Sequence, residues 1–192
     1  MYIAIEGIDT AGKSTQIAAL KKHFPDAIIT KEPGGTVIGK EIRALVLSAK
    51  TKSTRAEFLL FLADRAEHIT EIIEPNLDKM IISDRSAVSG VAYALTQTDI
   101  NTKDLVMLND FATKKIYPKK IFLLRLTKEE LQYRLSQKEL DGIELRGSEY
   151  LLQIQENIKK ASELLGLTLI EIDATKPITE ITQEILKDIA ND

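Results

Sequence analysis

The residues that follow the first apolar segment constrain this chain more than any other part of its sequence. That segment, Tyr2–Glu6, reads YIAIE, and GIDTAGKS at positions 7–14 then fits the pattern G-x-x-x-x-G-K-[ST] in full. Glycines in this pattern let backbone N–H groups turn inward around a phosphate group, and a helix that begins near Lys13 adds its positive N-terminal end. The pattern therefore predicts a strand, a phosphate-binding loop (P-loop) and a helix.

Four side chains near this loop are suited to a bound nucleoside triphosphate. Lys13 provides a positive charge for the β- and γ-phosphates, and the hydroxyl of Ser14 is a ligand for Mg²⁺. Asp84 ends the segment KMIISD at 79–84, where a carboxylate reaches the same ion or its bound water, unless it caps a helix instead. Arg85 places a cation at the same edge of the sheet, although an exposed ion pair is the commoner role for such a residue.

Five short apolar segments alternate with longer segments of helical spacing, and they lie at 2–6, 27–30, 80–83, 121–126 and 168–172. Strands that are rich in Ile and Leu on both faces and alternate with helices indicate a parallel sheet covered on both sides. We therefore predict one α/β domain over residues 1–192, in three layers with right-handed crossovers. The charged segment at about 136–150 contains two glycines and is either an ordinary loop or a mobile lid.

Helix N-termini are predicted from capping boxes, in which a Ser or Thr is followed three residues later by Glu or Gln. Thr54 with Glu57 predicts one such start, and Thr127 with Glu130 predicts another. The string NTKD at 101–104 is also best interpreted as a helix cap. It resembles the guanine-reading N-K-x-D of GTP-dependent switches, but its lysine is one place late and no strand precedes it.

Composition excludes several classes of protein. The net charge of −3 gives no basic excess for a nucleic-acid backbone, so no nucleic-acid partner is expected. The absence of cysteine excludes disulfides and thiolate metal sites. No apolar segment approaches the length that spans a membrane, and the N-terminal segment lacks the features of a secretory signal. We therefore expect a cytoplasmic protein that does not bind membranes.

The motifs favour a kinase that accepts a small phosphorylated substrate. A transport ATPase would carry a glycine-rich signature of the L-S-G-G-Q type, and the chain has none. Two alternatives stay open at this point. One is a P-loop switch that hydrolyses nucleotide slowly, and the other is a different P-loop small-molecule kinase, such as a deoxynucleoside or guanylate kinase.

The order of several motifs resembles that of the thymidylate kinase family over nearly the whole chain. The motifs are EGIDTAGKST at 6–15, KEPGGT at 31–36, FLADRAEH at 61–68, DRSAVSGVAY at 84–93 and IDATKP at 172–177. The resemblance implies a P-loop kinase fold, with a five-stranded parallel sheet, helices on both faces and a short lid. It also implies Mg²⁺-dependent transfer of the γ-phosphoryl group of ATP to dTMP, in thymidine nucleotide synthesis, by a cytoplasmic homodimer.

The resemblance assigns two groups of residues to the nucleotides. The ATP-binding residues would be Gly7, Ile8, Asp9, Thr10, Ala11, Gly12, Lys13, Ser14 and Thr15, with Ala174 and Thr175 beside the adenine base. Asp9 would also lie near the sugar hydroxyl and the reacting phosphates, unless it only forms the turn. The dTMP-binding residues would include Glu32 and Pro33, which shape the pocket, and Arg43 and Arg85, which bind the substrate phosphate.

The base and sugar of dTMP would be recognised by residues of two later motifs. Phe61 would stack on thymine and Arg65, one helical turn later, would donate to a thymine carbonyl. Ser89 and Tyr93 end the deoxynucleotide motif, and the Tyr93 ring would crowd the place of a ribose 2′-hydroxyl. Gly90 stands where some members have a polar residue that contacts thymine, so that contact would be absent or made by backbone or water. The two histidines, His23 and His68, are expected to be solvated helix residues.

The family usually places an arginine near the transferring phosphoryl group, in the P-loop or in the lid. The P-loop here has Thr10 and no arginine, so the cation would come from the lid, where Gly142 stands at a position that is arginine in many members. The candidates are Arg134, Lys138 and Arg146. We favour Arg146, with Arg134 as the second choice because it can stack on adenine instead. The alternative for Arg146 is a surface pair with Glu144 or Glu149.

Overall fold

The computed structural model of the protein describes residues 1–48, 51–96, 100–137, 139 and 144–191. Five parallel strands form one sheet in the order β2-β3-β1-β4-β5. They are β1 Tyr2–Glu6, β2 Ile28–Lys31, β3 Ile81–Asp84, β4 Lys120–Arg125 and β5 Leu169–Asp173. Each predicted strand is found within one residue of its expected bounds, which confirms the α/β P-loop kinase fold.

Eight α-helices in the described ranges surround the sheet. They are α1 Lys13–His23, α2 Val37–Leu47, α3 Thr54–His68, α4 Ala87–Ala94, α5 Thr102–Thr113, α6 Lys128–Ser136, α7 Ser148–Leu164 and α8 Ile178–Ala190. Helix α3 packs on α2 and α5, α4 packs on α7, and α1 packs on α8. A π-helical turn at Ile69–Ile73 extends α3, and a 3₁₀ turn at Glu144–Arg146 precedes α7. None of the helices described is long and apolar enough to cross a membrane.

The position of β1 in the sheet explains where the P-loop lies. All five residues of β1 are buried, because β3 and β4 flank it and helices cover both its faces. The chain leaves β1 towards β2 and β3 on one side and later adds β4 and β5 on the other. Such a reversal of strand order leaves a crevice at the carboxyl ends of the strands. Glu6 and Asp84 end neighbouring strands there, so the motifs that follow β1 and β3 open into the same crevice.

The helix caps confirm two of the three predicted starts. Thr127 caps α6 and accepts from the Glu130 N–H at 3.2 Å. Asn101 caps α5 and accepts from the Asp104 N–H at 2.9 Å, so the NTKD string is a helix cap. The prediction for Thr54 was wrong by one residue, because Ser53 has the extended backbone that a cap needs and accepts from the Ala56 N–H at 3.2 Å.

Candidate active site

The backbone of the P-loop adopts conformations that glycine favours. Gly7 has φ of 150°, and a Cβ there would lie 2.9 Å from the carbonyl oxygen of Leu124. Gly12 has φ of 94° and stands at the N-terminus of α1. Ser14 and Thr15, in the first turn of that helix, are exposed. The loop therefore presents the N-terminal end of α1 and two hydroxyls to an anion.

Lys13 is buried against the loop that precedes it. Its Nζ donates to the carbonyl oxygens of Gly7 at 3.0 Å and Ile8 at 3.1 Å, and it lies 3.8 Å from Oδ1 of Asp9. Burial lowers the pKa of this ammonium group to about 8. The loop thus holds the ammonium group of Lys13 in a fixed position.

A cavity of about 430 Å³ opens beside Lys13 and brings together most of the predicted phosphate-binding residues. It is lined by Asp9, Thr10, Gly12, Lys13, Ser14, Thr15, Lys31, Glu32, Arg43, Asp84 and Arg85. Lys31 is the one lining residue to which the sequence assigned no role. Its position, at the last residue of β2 and level with Asp84, could have identified it.

Arg85 connects the P-loop to α4. Its Nη2 donates to Oδ1 of Asp9 at 2.8 Å, and its Nη1 donates to the Gly7 carbonyl at 3.0 Å and the Ser89 hydroxyl at 3.1 Å. Burial alone would lower the pKa of the guanidinium group, but nearby acidic side chains, Asp9 among them, outweigh burial and raise it. Arg85 is therefore a fixed cation at the cavity wall, held by three predicted site residues.

Glu6 is a buried carboxylate that the sequence analysis passed over. It accepts from the hydroxyls of Ser86 at 2.8 Å and Ser89 at 2.5 Å, and burial raises its pKa. Because Ser89 also accepts from Arg85, Glu6 supports the Arg85 side chain from behind. A glutamate at the end of a fully buried strand is unusual, and that signal could have identified it.

The residues predicted to hold Mg²⁺ fit that ion. Oδ1 of Asp84 is buried and has no hydrogen-bond partner within the described part of the chain, and Ser14 lines the same cavity. Asp84 does not cap α4, since Ser86 does so. No group of three or more acidic, His or Cys residues that is placed to hold a metal ion occurs in the part of the chain described. Mg²⁺ takes oxygen ligands and usually keeps water and phosphate among them.

The residues predicted to read the base lie together on α3. Phe61 is half-buried, whereas Arg65 is only 2% exposed. Nε of Arg65 donates to Oε2 of Glu32 at 2.9 Å, and Nη1 donates to Oδ1 of Asn109 at 2.8 Å. Asn109, on α5, is fully buried and was not identified from the sequence. Its polarity among the apolar residues of an otherwise ordinary helix was the available signal.

The expectation for the histidines was half wrong. His23 is exposed at the end of α1, as expected, but His68 is fully buried. Its Nδ1 lies 2.9 Å from Oε1 of Glu32, and its Nε2 lies 2.6 Å from the hydroxyl of Thr30. A buried imidazole is stable where both ring nitrogens find partners, and these two partners are distant in sequence.

The loop after β2 is fixed by side chains of α2 and α3. Nη1 of Arg43 donates to the carbonyl of Pro33 at 3.1 Å, and Oδ1 of Asp64 accepts from the Gly34 N–H at 2.9 Å. The Glu32–Pro33 peptide bond is cis. Arg43 thus lines the phosphate cavity and also touches the loop that borders it.

Asp64 gives the first prediction, which concerns stability against pH. Burial raises the pKa of its carboxyl to about 6, so the folded state holds this proton more tightly than the unfolded state does. We expect the free energy of unfolding to fall as pH rises from about 4 to about 6, by roughly 1–3 kcal/mol from this group. Asp64→Asn keeps an acceptor for the Gly34 N–H and cannot ionise, so this part of the fall should disappear. Urea unfolding of both proteins at pH 4 and pH 8 measures it, and identical pH dependence would contradict the prediction.

On the ATP side, Arg134 joins the P-loop to the loop after β5. Its Nη1 donates to the carbonyl of Thr10 at 3.0 Å, its Nη2 to the carbonyl of Ala174 at 2.8 Å, and its Nε to Glu130 at 2.6 Å. Ala174 is buried, and Thr175 is exposed with its hydroxyl bonded to Asp173.

The predicted lid is only partly within the described residues, since Lys138 and Gly142 lie outside them. Arg146 is exposed, lies 5.1 Å from the ring centroid of Tyr150 and donates to the Tyr150 hydroxyl at 2.9 Å. It does not line the phosphate cavity as described, and Glu149 pairs with Lys128.

Comparison with known proteins identifies relatives along almost the whole chain. The family model described as thymidylate kinase matches residues 5–185. The thymidylate kinase of Sulfurimonas denitrificans is 72% identical over 189 residues, covering 98% of this chain and 99% of that protein. That of Wolinella succinogenes is 54% identical, with 97% and 96% covered. The crystal structure of thymidylate kinase from Ehrlichia chaffeensis superposes with a TM-score of 0.73 at 26% identity, covering 99% and 98% of the two chains.

Proposed function

The chain belongs to the thymidylate kinase family, and we propose that its cavity transfers the γ-phosphoryl group of ATP to dTMP, giving ADP and dTDP. The observation that carries this proposal is the pairing of two kinds of cation in one cavity. Lys13 belongs to the P-loop, whereas Arg43 lies on α2 and Arg85 follows β3, and all three line the cavity. The first suits the donor phosphates and the other two suit the phosphate of a monophosphate acceptor.

Phosphoryl transfer depends on positioning and on neutralising charge, and needs no covalent protein intermediate. Mg²⁺, held by Ser14 and Asp84, would neutralise charge on the β- and γ-phosphates. The N–H groups of the P-loop and Lys13 would hold the donor phosphates, while Arg85 orients the acceptor phosphate. Because Asp9 already holds Arg85, it would set the distance between donor and acceptor.

Base recognition would rest on α3. The ring of Phe61 would stack on thymine, and the guanidinium of Arg65 would donate to its carbonyl. On the donor side, Ala174 and Thr175 would border the adenine base. Glu32 and Pro33 would shape the dTMP pocket, and Ser89 would orient Arg85 towards the acceptor phosphate.

The second prediction tests this function through the choice of base. Arg65 only donates, and cytosine has an amino donor where thymine has a carbonyl, so two donors would oppose each other in dCMP. One unpaired donor costs about 1–3 kcal/mol, so kcat/KM should be roughly 5–150 times higher for dTMP. A coupled ADP-release assay over nucleosides and monophosphates measures it. Equal efficiency on dCMP contradicts the proposed base contact, and ATP binding without dTMP-dependent ADP release would instead identify a switch.

The third prediction concerns the sugar. Tyr93 is half-buried on α4, packs against the hydrophobic core and has its pKa raised by burial to about 12, so its phenol is neutral. In Tyr93→Ala we expect the preference for dTMP over its ribonucleotide to fall roughly tenfold, since the ring no longer fills the space of a 2′-hydroxyl. Tyr93→Phe keeps the ring and should change the preference less. If Tyr93→Ala retains the parent ratio of kcat/KM values, the residue does not exclude ribose.

We further propose that residues 1–192 form a single catalytic domain, with 136–150 as its lid, that works in the cytoplasm as a homodimer. Exposed apolar side chains on α2 and α3 support a contact with a second copy, among them Val37, Leu45 and Leu59. Sedimentation equilibrium measures the oligomeric state.

A further inference from the structure

Arg65 has five N–H donors, and the protein uses those on two of its three nitrogens. Nε is bound to Glu32 and Nη1 to Asn109, at 2.9 Å and 2.8 Å. Among the described residues, Nη2 has no acceptor within hydrogen-bonding distance. The bonds from Nε and Nη1 fix the guanidinium plane, so the N–H groups of Nη2 point in fixed directions.

Glu32, which binds Nε of Arg65, is itself held by neighbouring side chains. Glu32 gives one carboxylate oxygen to Arg65 and the other to His68, whose second ring nitrogen meets the hydroxyl of Thr30. Arg65, Glu32 and His68 are each at most 4% exposed, so no solvent competes for these bonds. Burial opposes ionisation of Glu32, but Arg65 and His68 outweigh it and lower the pKa of this carboxyl. The ion pair therefore persists across the working pH range.

The guanidinium group of Arg65 lies against Gly90. A Cβ at Gly90 would lie 2.8 Å from Nη2, closer than real contacts allow. The glycine therefore leaves the space that Nη2 occupies, and any side chain there would displace the guanidinium group.

We propose that Asn109 and His68 are positioning residues that hold Arg65 in one orientation, and that the absence of a side chain at Gly90 leaves the space that the guanidinium group needs in that orientation. This inference rests on the proposed function, in which the guanidinium group meets a thymine carbonyl. Neither Asn109 nor His68 needs to touch dTMP. They act on base choice, because an arginine that cannot turn away must meet the amino group of cytosine donor to donor.

A loosened Arg65 should affect the two substrates differently. With dTMP it can still find the carbonyl, at the expense of extra side-chain ordering, so KM rises. With dCMP it can swing aside, so the penalty that excludes cytosine becomes smaller. The ratio of kcat/KM for dTMP over dCMP therefore falls, while kcat for dTMP stays within about threefold of the parent.

The test uses two variants that disturb the orientation of Arg65 from different sides. Asn109→Leu removes the acceptor for Nη1 at similar volume, and Gly90→Ala adds a methyl group 2.8 Å from Nη2, which displaces the guanidinium group. We expect the dTMP over dCMP ratio to fall roughly tenfold or more in each. Asn109→Asp keeps an acceptor for Nη1 of Arg65 and should therefore keep most of the parent dTMP over dCMP ratio.

Thr113→Val is the matched control. Thr113 is buried on the same helix, donates to the carbonyl of Asn109 and accepts from the Lys115 N–H, so the variant removes two hydrogen bonds and neither of them involves Arg65. Its ratio should equal that of the parent.

The outcomes distinguish failure of the positioning role from failure of the proposed function. A parent enzyme without preference for dTMP overturns both. A parent with that preference, together with folded Asn109→Leu and Gly90→Ala variants that keep its ratio, overturns the inference alone. If Asn109→Leu fails to fold, Gly90→Ala decides the question by itself. A fall in the ratio in Gly90→Ala with kcat retained supports the inference.

Discussion

Lys13→Ala is expected to lower kcat by at least about 100-fold while the protein stays folded. The side chain is the buried cation of the P-loop, and its Nζ lies on two carbonyl oxygens at the wall of the phosphate cavity. Removing it leaves the charge that develops on the β- and γ-phosphates without its fixed partner. Since burial already lowers the pKa of this ammonium group to about 8, folding opposes its charge, and alanine should not weaken the fold greatly.

The matched control for this variant is Lys22→Ala. Lys22 lies on the same helix and is exposed at its far end, so its loss changes the charge of α1 without touching the cavity. The coupled ADP-release assay measures turnover, and circular dichroism reports the fold of each variant. Near-parental turnover in folded Lys13→Ala would refute the role of the P-loop.

The sheet could be predicted because its signal is local. A strand with apolar residues on both faces can be recognised from a short segment of sequence. Strand β1 is fully buried and β4 is buried except at its two ends, as that pattern predicts. The bounds shift by one residue at β3 because Asp84 is polar but still pairs in register with β1. The start of α3 shifts because Ser53 and Thr54 are both chemically able to cap, and only the backbone decides between them.

The P-loop could likewise be located from sequence, because glycine and lysine spacing dictates its geometry. The residues that hold Arg65 in place could not be predicted from sequence. His68 lies 36 residues from Glu32, and Asn109 lies 44 residues from Arg65, so their meeting depends on how α3, α5 and β2 pack. A motif also does not say which atoms remain unpaired. The buried, unpartnered Oδ1 of Asp84 became apparent only from the three-dimensional contacts.

The contacts of Arg134 and Arg146 bear on which of the two would reach the transferring phosphoryl group. Arg134 is bonded to a carboxylate and to two backbone carbonyls, one of them in the P-loop. Breaking that set would also separate the P-loop from the loop of Ala174. Among the described residues, Arg146 contacts the ring and hydroxyl of Tyr150 and takes part in no ion pair. Breaking the contacts of Arg146 with a neutral hydroxyl and an exposed ring costs about 1–2 kcal/mol. Arg146 can therefore move away from its contacts more easily than Arg134 can.

Arg146→Ala is therefore expected to lower kcat strongly with little change in KM for ATP or dTMP. An arginine on the transferring phosphoryl group can contribute on the order of 10³–10⁵ in rate, because charge spreads over that group in the transition state. Such an interaction forms only in the transition state, which is why kcat and kcat/KM should fall together. Arg134→Ala should mainly raise KM for ATP, because it removes the connection between the P-loop and Ala174. Single-turnover phosphoryl transfer measures the chemical step in both variants and in Lys138→Ala.

Tyr150→Phe is the control that separates a catalytic arginine from a surface contact. It removes the hydroxyl that Arg146 binds and keeps the ring, so it disturbs the resting contact and leaves the cation in place. If Arg146 acts on the phosphoryl group, Tyr150→Phe should react at nearly the parent rate or slightly faster, since the arginine leaves its resting position more easily. An Arg146→Ala enzyme with the parent single-turnover rate would refute the choice, and a slow Arg134→Ala with unchanged KM would transfer the role to Arg134.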